Sequence, residues 1–117
     1  MTELIQTYLA CWNEQDPMLR REMLDANWAD QARYVDPLVE VRGRDGIAAT
    51  IAAVQGQFPG FAVTAAGPAD AHPNQVRFTW NLGPAGAEPV VVGFDVIETD
   101  AQGRIQTVLG FLDRVPA

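Results

Sequence analysis

The hydrophobic period of this chain is mainly helical up to about residue 60 and strand-like after it, and that shift restricts the fold more than any motif does. Upstream, Leu4, Ile5, Tyr8, Leu9 and Trp12 recur at helical spacing and form one face. Asp16-Pro17 has the form of an N-cap followed by proline at the first helical position, with Met18, Leu19, Met23 and Ala26 as the apolar side of a second helix. "ARYVDPLVEVRG", residues 32–43, reads as a short strand pair. A third helix follows Gly43, carries Ile47, Ile51, Val54 and Phe58 at helical spacing, and stops at Pro59-Gly60. Downstream the period falls to two. Phe61–Ala66, Gln75–Leu82, Pro89–Glu98 and Arg104–Arg114 are expected strands, separated by the turn-like "DAHPN", "GPAGA" and "TDAQG". Helices first and antiparallel strands afterwards imply an α+β fold, with the helices covering one face of a curved sheet.

The length of 117 residues and 48% hydrophobic content suit one globular domain with a real core. The balance of 8 basic against 15 acidic residues, a formal −7, disfavours nucleic acid and anionic membrane as partners, because both require clustered cations. The basic side chains are all scattered arginines, and no apolar run approaches the roughly 18 residues of a membrane span. The first residues lack a basic start before an apolar block and do not read as a secretory signal. One cysteine, Cys11, cannot form an internal disulfide, which points to the cytoplasm. With a single His72 and a single Cys11, no conventional metal site is expected. No Walker-type loop, G-x-G-x-x-G fingerprint or G-x-S-x-G elbow is present, so no cofactor is expected.

Two carboxylates stand where carboxylates are costly. Asp36 sits among the strand-formers Tyr34, Val35, Leu38 and Val39, followed by Pro37, which lacks an N–H. It marks either a turn at a strand edge or an acid aimed into a cavity. Asp95 sits mid-strand in "VVVGFDVIE", and by alternation shares a side with Val91, Gly93 and Ile97. Buried there, it must be paired, protonated or facing a polar cavity. Gly93 removes a side chain on that same side, leaving room for a ligand. Val90, Val92, Phe94 and Val96 point the other way, and in the last strand Ile105, Leu109 and Phe111 oppose Val108 and Leu112. Both faces therefore seek burial while the helices cover only one, so a homodimer across a two-fold axis is expected.

The order of "YLACWNEQD", "ARYVDP", "GRDGIAATI" and "VVGFDVIETDAQGRIQTVLGFLD" resembles the cone-shaped α+β barrel superfamily. That superfamily includes nuclear transport factor two, the SnoaL-like polyketide cyclases, scytalone dehydratase and ketosteroid isomerase. The resemblance implies one SnoaL-like or ketosteroid isomerase-like domain over 1–117, with three N-terminal helices packed on a curved, mostly antiparallel sheet closed as a cone-shaped barrel. The functional pattern it resembles most is ketosteroid isomerase, which implies Asp36 as proton-shuttling base, with Tyr8 and a protonated Asp95 as donors to the developing oxyanion. Trp12, Trp28, Phe58, Phe78 and Trp80 are then the expected walls against the substrate. The implied function is a cofactor-independent isomerase or cyclase. It would act by proton transfer next to a carbonyl of a cyclic or polyketide-like, small hydrophobic molecule.

Two alternatives stay open. An Asp-based hydrolase or dehydratase, similar to limonene epoxide hydrolase, needs an arginine between its acids, and Arg77 points away from the aromatic side of its strand. A non-catalytic small-molecule-binding dimer would fill the pocket with Trp28, Phe58 and Trp80 and leave no room beside Asp95. His72 reads as a solvated turn residue, Cys11 as a packed thiol, and Asp100 with Gly103 as turn chemistry.

Overall fold

The computed structural model describes residues 2–116. Helices α1 (Thr2–Asn13) and α2 (Pro17–Asn27) lead into strands β1 (Trp28–Val35) and β2 (Glu40–Arg42). Helix α3 (Arg44–Gln57) follows, and then β3 (Phe61–His72), β4 (Gln75–Pro84), β5 (Val91–Thr99) and β6 (Ile105–Arg114). The third helix thus stands between two strands rather than ahead of the sheet. The six strands are ordered β2-β1-β6-β5-β4-β3. All neighbouring pairs are antiparallel except β1 and β6, which run parallel. This is an α+β fold with helices packed on a mostly antiparallel sheet.

The helical stripe of α1 is buried as its spacing predicts: Ile5, Tyr8 and Leu9 lie in the core together with Cys11. They meet Val76 and Phe78 of β4, Ile97 of β5 and Val108 of β6, and α3 adds Ile47 and Ile51. Burying each large side chain of this kind is worth roughly 1.5–3 kcal/mol. Helix α2 departs from expectation. Of its expected apolar side only Met23 packs against the core; Met18 and Leu19 are exposed, and the fully buried residues are Arg20 and Leu24. Arg20 donates to the Glu14 carbonyl and to Gln55 of α3, whose amide in turn donates to the carbonyls of Trp12 and Glu14. A polar tie to the end of α1 therefore sets the rotation of α2 together with Leu24 and Met23. Asp16 caps the helix by accepting from the Met18 N–H at 2.9 Å.

Two strand details also differ. β3 runs on through "DAH", because a bulge at residues 67–69 lets Pro68 sit on an edge strand without losing a ladder bond. His72 is therefore the exposed last residue of β3 rather than part of the turn. In β6, Glu98 faces Thr107 while Thr99 faces Ile105, so Gln106 is an extra residue. The bulge turns both Ile105 and Val108 into the core, where strict alternation had put them on opposite sides. On the outer side of the sheet, Phe94 and Phe111 lie 6.4 Å apart between ring centres, and Phe111 is more than half exposed. No described helix is long and apolar enough to cross a membrane.

Candidate active site

A cavity of about 370 Å³ opens between the sheet and the helices. Each element contributes what its local sequence dictates. Trp12 ends the apolar stripe of α1, and Val54 and Phe58 end that of α3, so both helices run from the core to the cavity wall. Trp80 and Leu82 come from the inward side of β4, and Val91 and Asp95 from that of β5. Leu38, Phe111 and Val115 form an apolar rim, each more than half exposed. Tyr8, Asp36 and Asp95, far apart in sequence, all line this one cavity.

Asp95 is 2% exposed, and its Oδ2 accepts a 2.6 Å hydrogen bond from the Tyr8 hydroxyl. Burial pushes its carboxyl from the ordinary 3.8 up to about 6, opposed by the Tyr8 bond and the Trp80 indole and assisted by the charge of Asp36. The Trp80 indole N–H lies close enough to act on Asp95 as a hydrogen-bonding neighbour, though not in good hydrogen-bond geometry. The Tyr8 hydroxyl is held well above its usual range, first by burial and then by the Asp95 charge.

Asp36 is half-buried and much better supported. Its Oδ1 accepts from the backbone N–H groups of Leu38 and Val39 at 2.8 and 3.0 Å, and its Oδ2 from the Tyr34 hydroxyl at 2.8 Å. It is at once the turn residue between β1 and β2 and a wall of the cavity. The two readings open at the level of sequence are thus compatible. Tyr34, a further cavity residue, is also pushed up, first by burial and then by the negative charges of Asp95 and Asp36. By residue type alone Tyr34 is only a strand-former. Its position two residues before Asp36, on the same side of a strand, is the signal that finds it. Gly110 is a second residue that pattern alone does not single out. A methyl placed there would lie 2.9 Å from Asp95 Oδ1 and 3.3 Å from Asp36 Cβ, so both acids close on one bare position of β6.

Three expected wall residues, Trp12, Phe58 and Trp80, line the cavity. Trp28 and Phe78 do not; they are fully buried in the core, with ring centres 5.8 and 5.9 Å from that of Tyr8, and hold its ring from behind. The room expected at Gly93 is also already taken, because a Cβ there would overlap the Trp80 indole. Asp95 lines the cavity yet is itself almost fully buried, with its Oδ1 sealed. No arginine lines the cavity among the described residues; Arg77 is exposed and paired with Asp70 at 2.6 Å. Burial pushes the Cys11 thiol up to about 11, which leaves it protonated and unreactive. Among the described residues, no three His, Cys, Asp or Glu side chains are grouped to hold a metal ion.

A family model for the SnoaL-like domain matches residues 5–108. The crystal structure of a candidate isomerase of the SnoaL-like family from Agrobacterium tumefaciens strain C58 is similar at 45% identity, with a TM-score of 0.90 and 96% of each chain covered. A SnoaL-like polyketide cyclase candidate from Jannaschia sp. CCS1 shares the fold at 17% identity and a TM-score of 0.71, covering 96% of this chain and 86% of that one. An LEH-like epoxide hydrolase from M. tuberculosis does so at 23% identity and a TM-score of 0.66, covering 95% and 80%. A comparison with curated proteins gave no match.

Proposed function

The chain belongs to the SnoaL-like family, and from that premise we propose that it is a cofactor-independent isomerase or cyclase moving a proton next to the carbonyl of a small hydrophobic molecule. The observation that carries this reading is the pair of unequal carboxylates on one apolar cavity. Asp95, buried and held near 6, is suited to share a proton with a developing enolate oxygen. Asp36, half-buried and fixed by two backbone N–H groups, is suited to take the proton on carbon through the free lone pair of Oδ2. A cavity of about 370 Å³ lies at the small end of the roughly 300–1,000 Å³ span of ligand sites, which favours a compact cyclic ketone. The absence of an arginine beside the acids, among the described residues, weighs against the hydrolase reading.

The same reading takes residues 1–117 as one cone-shaped domain working in the cytoplasm as a homodimer. Support for the dimer is the apolar pair Phe94 and Phe111, of which Phe111 is more than half exposed at the cavity rim. A standard stable interface would bury about 1,200–2,000 Å² in total, and sedimentation at micromolar concentration giving only monomer would remove it.

One observation favours a second reading, a binding protein without catalysis: three donors already engage Asp36. Hydrogen exchange separates the two. A β,γ-unsaturated cyclic ketone in deuterated buffer should lose its α-hydrogen faster with the protein than without it. Binding with no faster exchange, across several such ketones, would leave only the binding reading.

A further inference from the structure

Apart from the open side of Asp36, the polar side chains on the cavity are committed to protein partners or sealed from it. Tyr8 donates to Asp95 and Tyr34 to Asp36, and the indole N–H groups of Trp12 and Trp80 are buried in the wall. The exception is Gln57, the last residue of α3, which lines the cavity and is exposed. Among the described residues the Gln57 amide has no protein partner, whereas that of Gln55, in the same turn, accepts from Arg20 and donates to the carbonyls of Trp12 and Glu14. One glutamine is spent on holding the helices together; the other keeps its donors and its acceptor for what enters the cavity.

The fold puts this amide on a different side of the cavity from the acids. Gln57 follows Val54 by three residues, which places it on the flank of the inward stripe of α3. The next residue fixes it beside β3: Phe58 stacks on Phe61 with ring centres 5.5 Å apart, and its carbonyl accepts from the Phe61 N–H at 3.2 Å. Asp36 follows β1, and strands β6, β5 and β4 stand between β1 and β3 in the sheet. The lining between these two points is apolar, with Val63, Leu82, Val91 and Leu112 along the sheet side. Charge adds a second constraint. Two carboxylates line the cavity, no arginine does among the described residues, and the chain has no lysine. An anionic group on a ligand would meet repulsion there and no cation to offset it.

We propose that Gln57 is a specificity-determining residue at the outer end of the cavity, and that the substrate is a fused-ring ketone carrying a second, uncharged oxygen function on the ring remote from the reacting carbonyl. A hydroxyl or a carbonyl suits the Gln57 amide, which both donates and accepts; a carboxylate does not suit the cavity. The assignment rests on the proton-transfer reading above for the ketone end and specifies the chemistry of the other end. Gln57 touches no reacting atom. Its bond forms equally with substrate and with transition state, so its effect falls in KM rather than in kcat.

Three tetralones test this. 2-Tetralone has acidic hydrogens beside its carbonyl; 6-hydroxy-2-tetralone adds a hydroxyl at the opposite end of the ring pair, and 6-carboxy-2-tetralone puts an anion there. Calorimetric titration gives their affinities, and α-hydrogen exchange in deuterated buffer gives KM and kcat. The wild type should bind the hydroxy compound about twofold to tenfold more tightly than 2-tetralone, the range of one neutral hydrogen bond. It should bind the carboxy compound most weakly of the three. Gln57→Met keeps the length of the side chain without its amide and should abolish the preference for the hydroxyl, with the change in KM. Gln57→Arg supplies a cation and should make the carboxy compound bind more tightly than it does to the wild type. A wild type that binds 2-tetralone and its hydroxy derivative equally, a hydroxyl preference kept in Gln57→Met, or a carboxy compound bound as tightly as the hydroxy one would each overturn the assignment. Proton transfer would still stand if 2-tetralone exchanged faster with the protein than without it. Neither binding nor faster exchange with any of the three would overturn both. The ranking of the three ligands needs only the wild-type chain, so it decides the matter even if a variant fails to fold.

Discussion

The cavity holds the same pair of residue types twice. At its buried end Tyr8 donates to Asp95 at 2.6 Å; nearer the rim Tyr34 donates to Asp36 at 2.8 Å. The chemistry of the two acids diverges because their surroundings do. Asp95 has one hydrogen bond, no backbone donor and almost no contact with water, and burial raises it to about 6. Asp36 has two backbone donors besides its tyrosine and keeps partial contact with solvent. A Tyr–Asp pair thus has no fixed role; desolvation and the number of donors assign it.

The largest expected effect tests whether the two acids differ in catalysis. Asp36→Asn should lower α-hydrogen exchange by about 10²–10⁴-fold, the usual contribution of a general base. Asp95→Asn should lower it far less, because an amide still donates to the oxygen. Circular dichroism should show both variants folded, as the amide carbonyl introduced by Asp36→Asn can keep the backbone bonds of the turn. Equal losses in the two variants would erase the distinction.

Next in size is the dependence of stability on pH. Asp95 is raised in the folded state, so its contribution is fully present below about pH 4 and is lost as the pH rises through about 6. The whole contribution is roughly 3 kcal/mol, of which about half falls between pH 5 and pH 8. Urea unfolding at those two pH values should show wild type losing that amount relative to Asp95→Asn. A constant difference between the two proteins would mean that Asp95 titrates normally. Under the proton-transfer reading, exchange should also fall about tenfold per pH unit above 6, as Asp95 loses its proton.

Smaller effects come from the tyrosines. Tyr8→Phe removes the 2.6 Å hydrogen bond of a buried carboxylate and should cost about 1–3 kcal/mol, more at pH 8 than at pH 5, with Asp95 moving still higher. Tyr34→Phe should cost only about 0.5–1.5 kcal/mol, since Asp36 retains its backbone donors. Thermal or urea unfolding of the two variants side by side checks the order; a costlier Tyr34→Phe would reverse the assignment of the buried end.

Much of this could be read from residue pattern alone. Spacing at 3.6 and at 2 located the helices and strands, since periodicity needs only the local chain. The alternation of "VVVGFDVIE" correctly turned Asp95 inward with Val91, Gly93 and Ile97. Where the reading failed, a non-local partner had overruled the local pattern. Arg20 turned α2 through bonds to Gln55 and the end of α1, and Gln106 bulged β6 to bring Ile105 beside Val108. Sequence alone marked Asp36 and Asp95 as misplaced acids, because a carboxylate among apolar strand-formers is costly wherever it lies. It could not show that they close on Gly110, that Trp80 fills the gap at Gly93, or that Trp28 and Phe78 stand behind Tyr8 instead of beside a ligand. Those relations join residues on different strands and helices, and only the packing of the folded chain brings such groups within reach of one another.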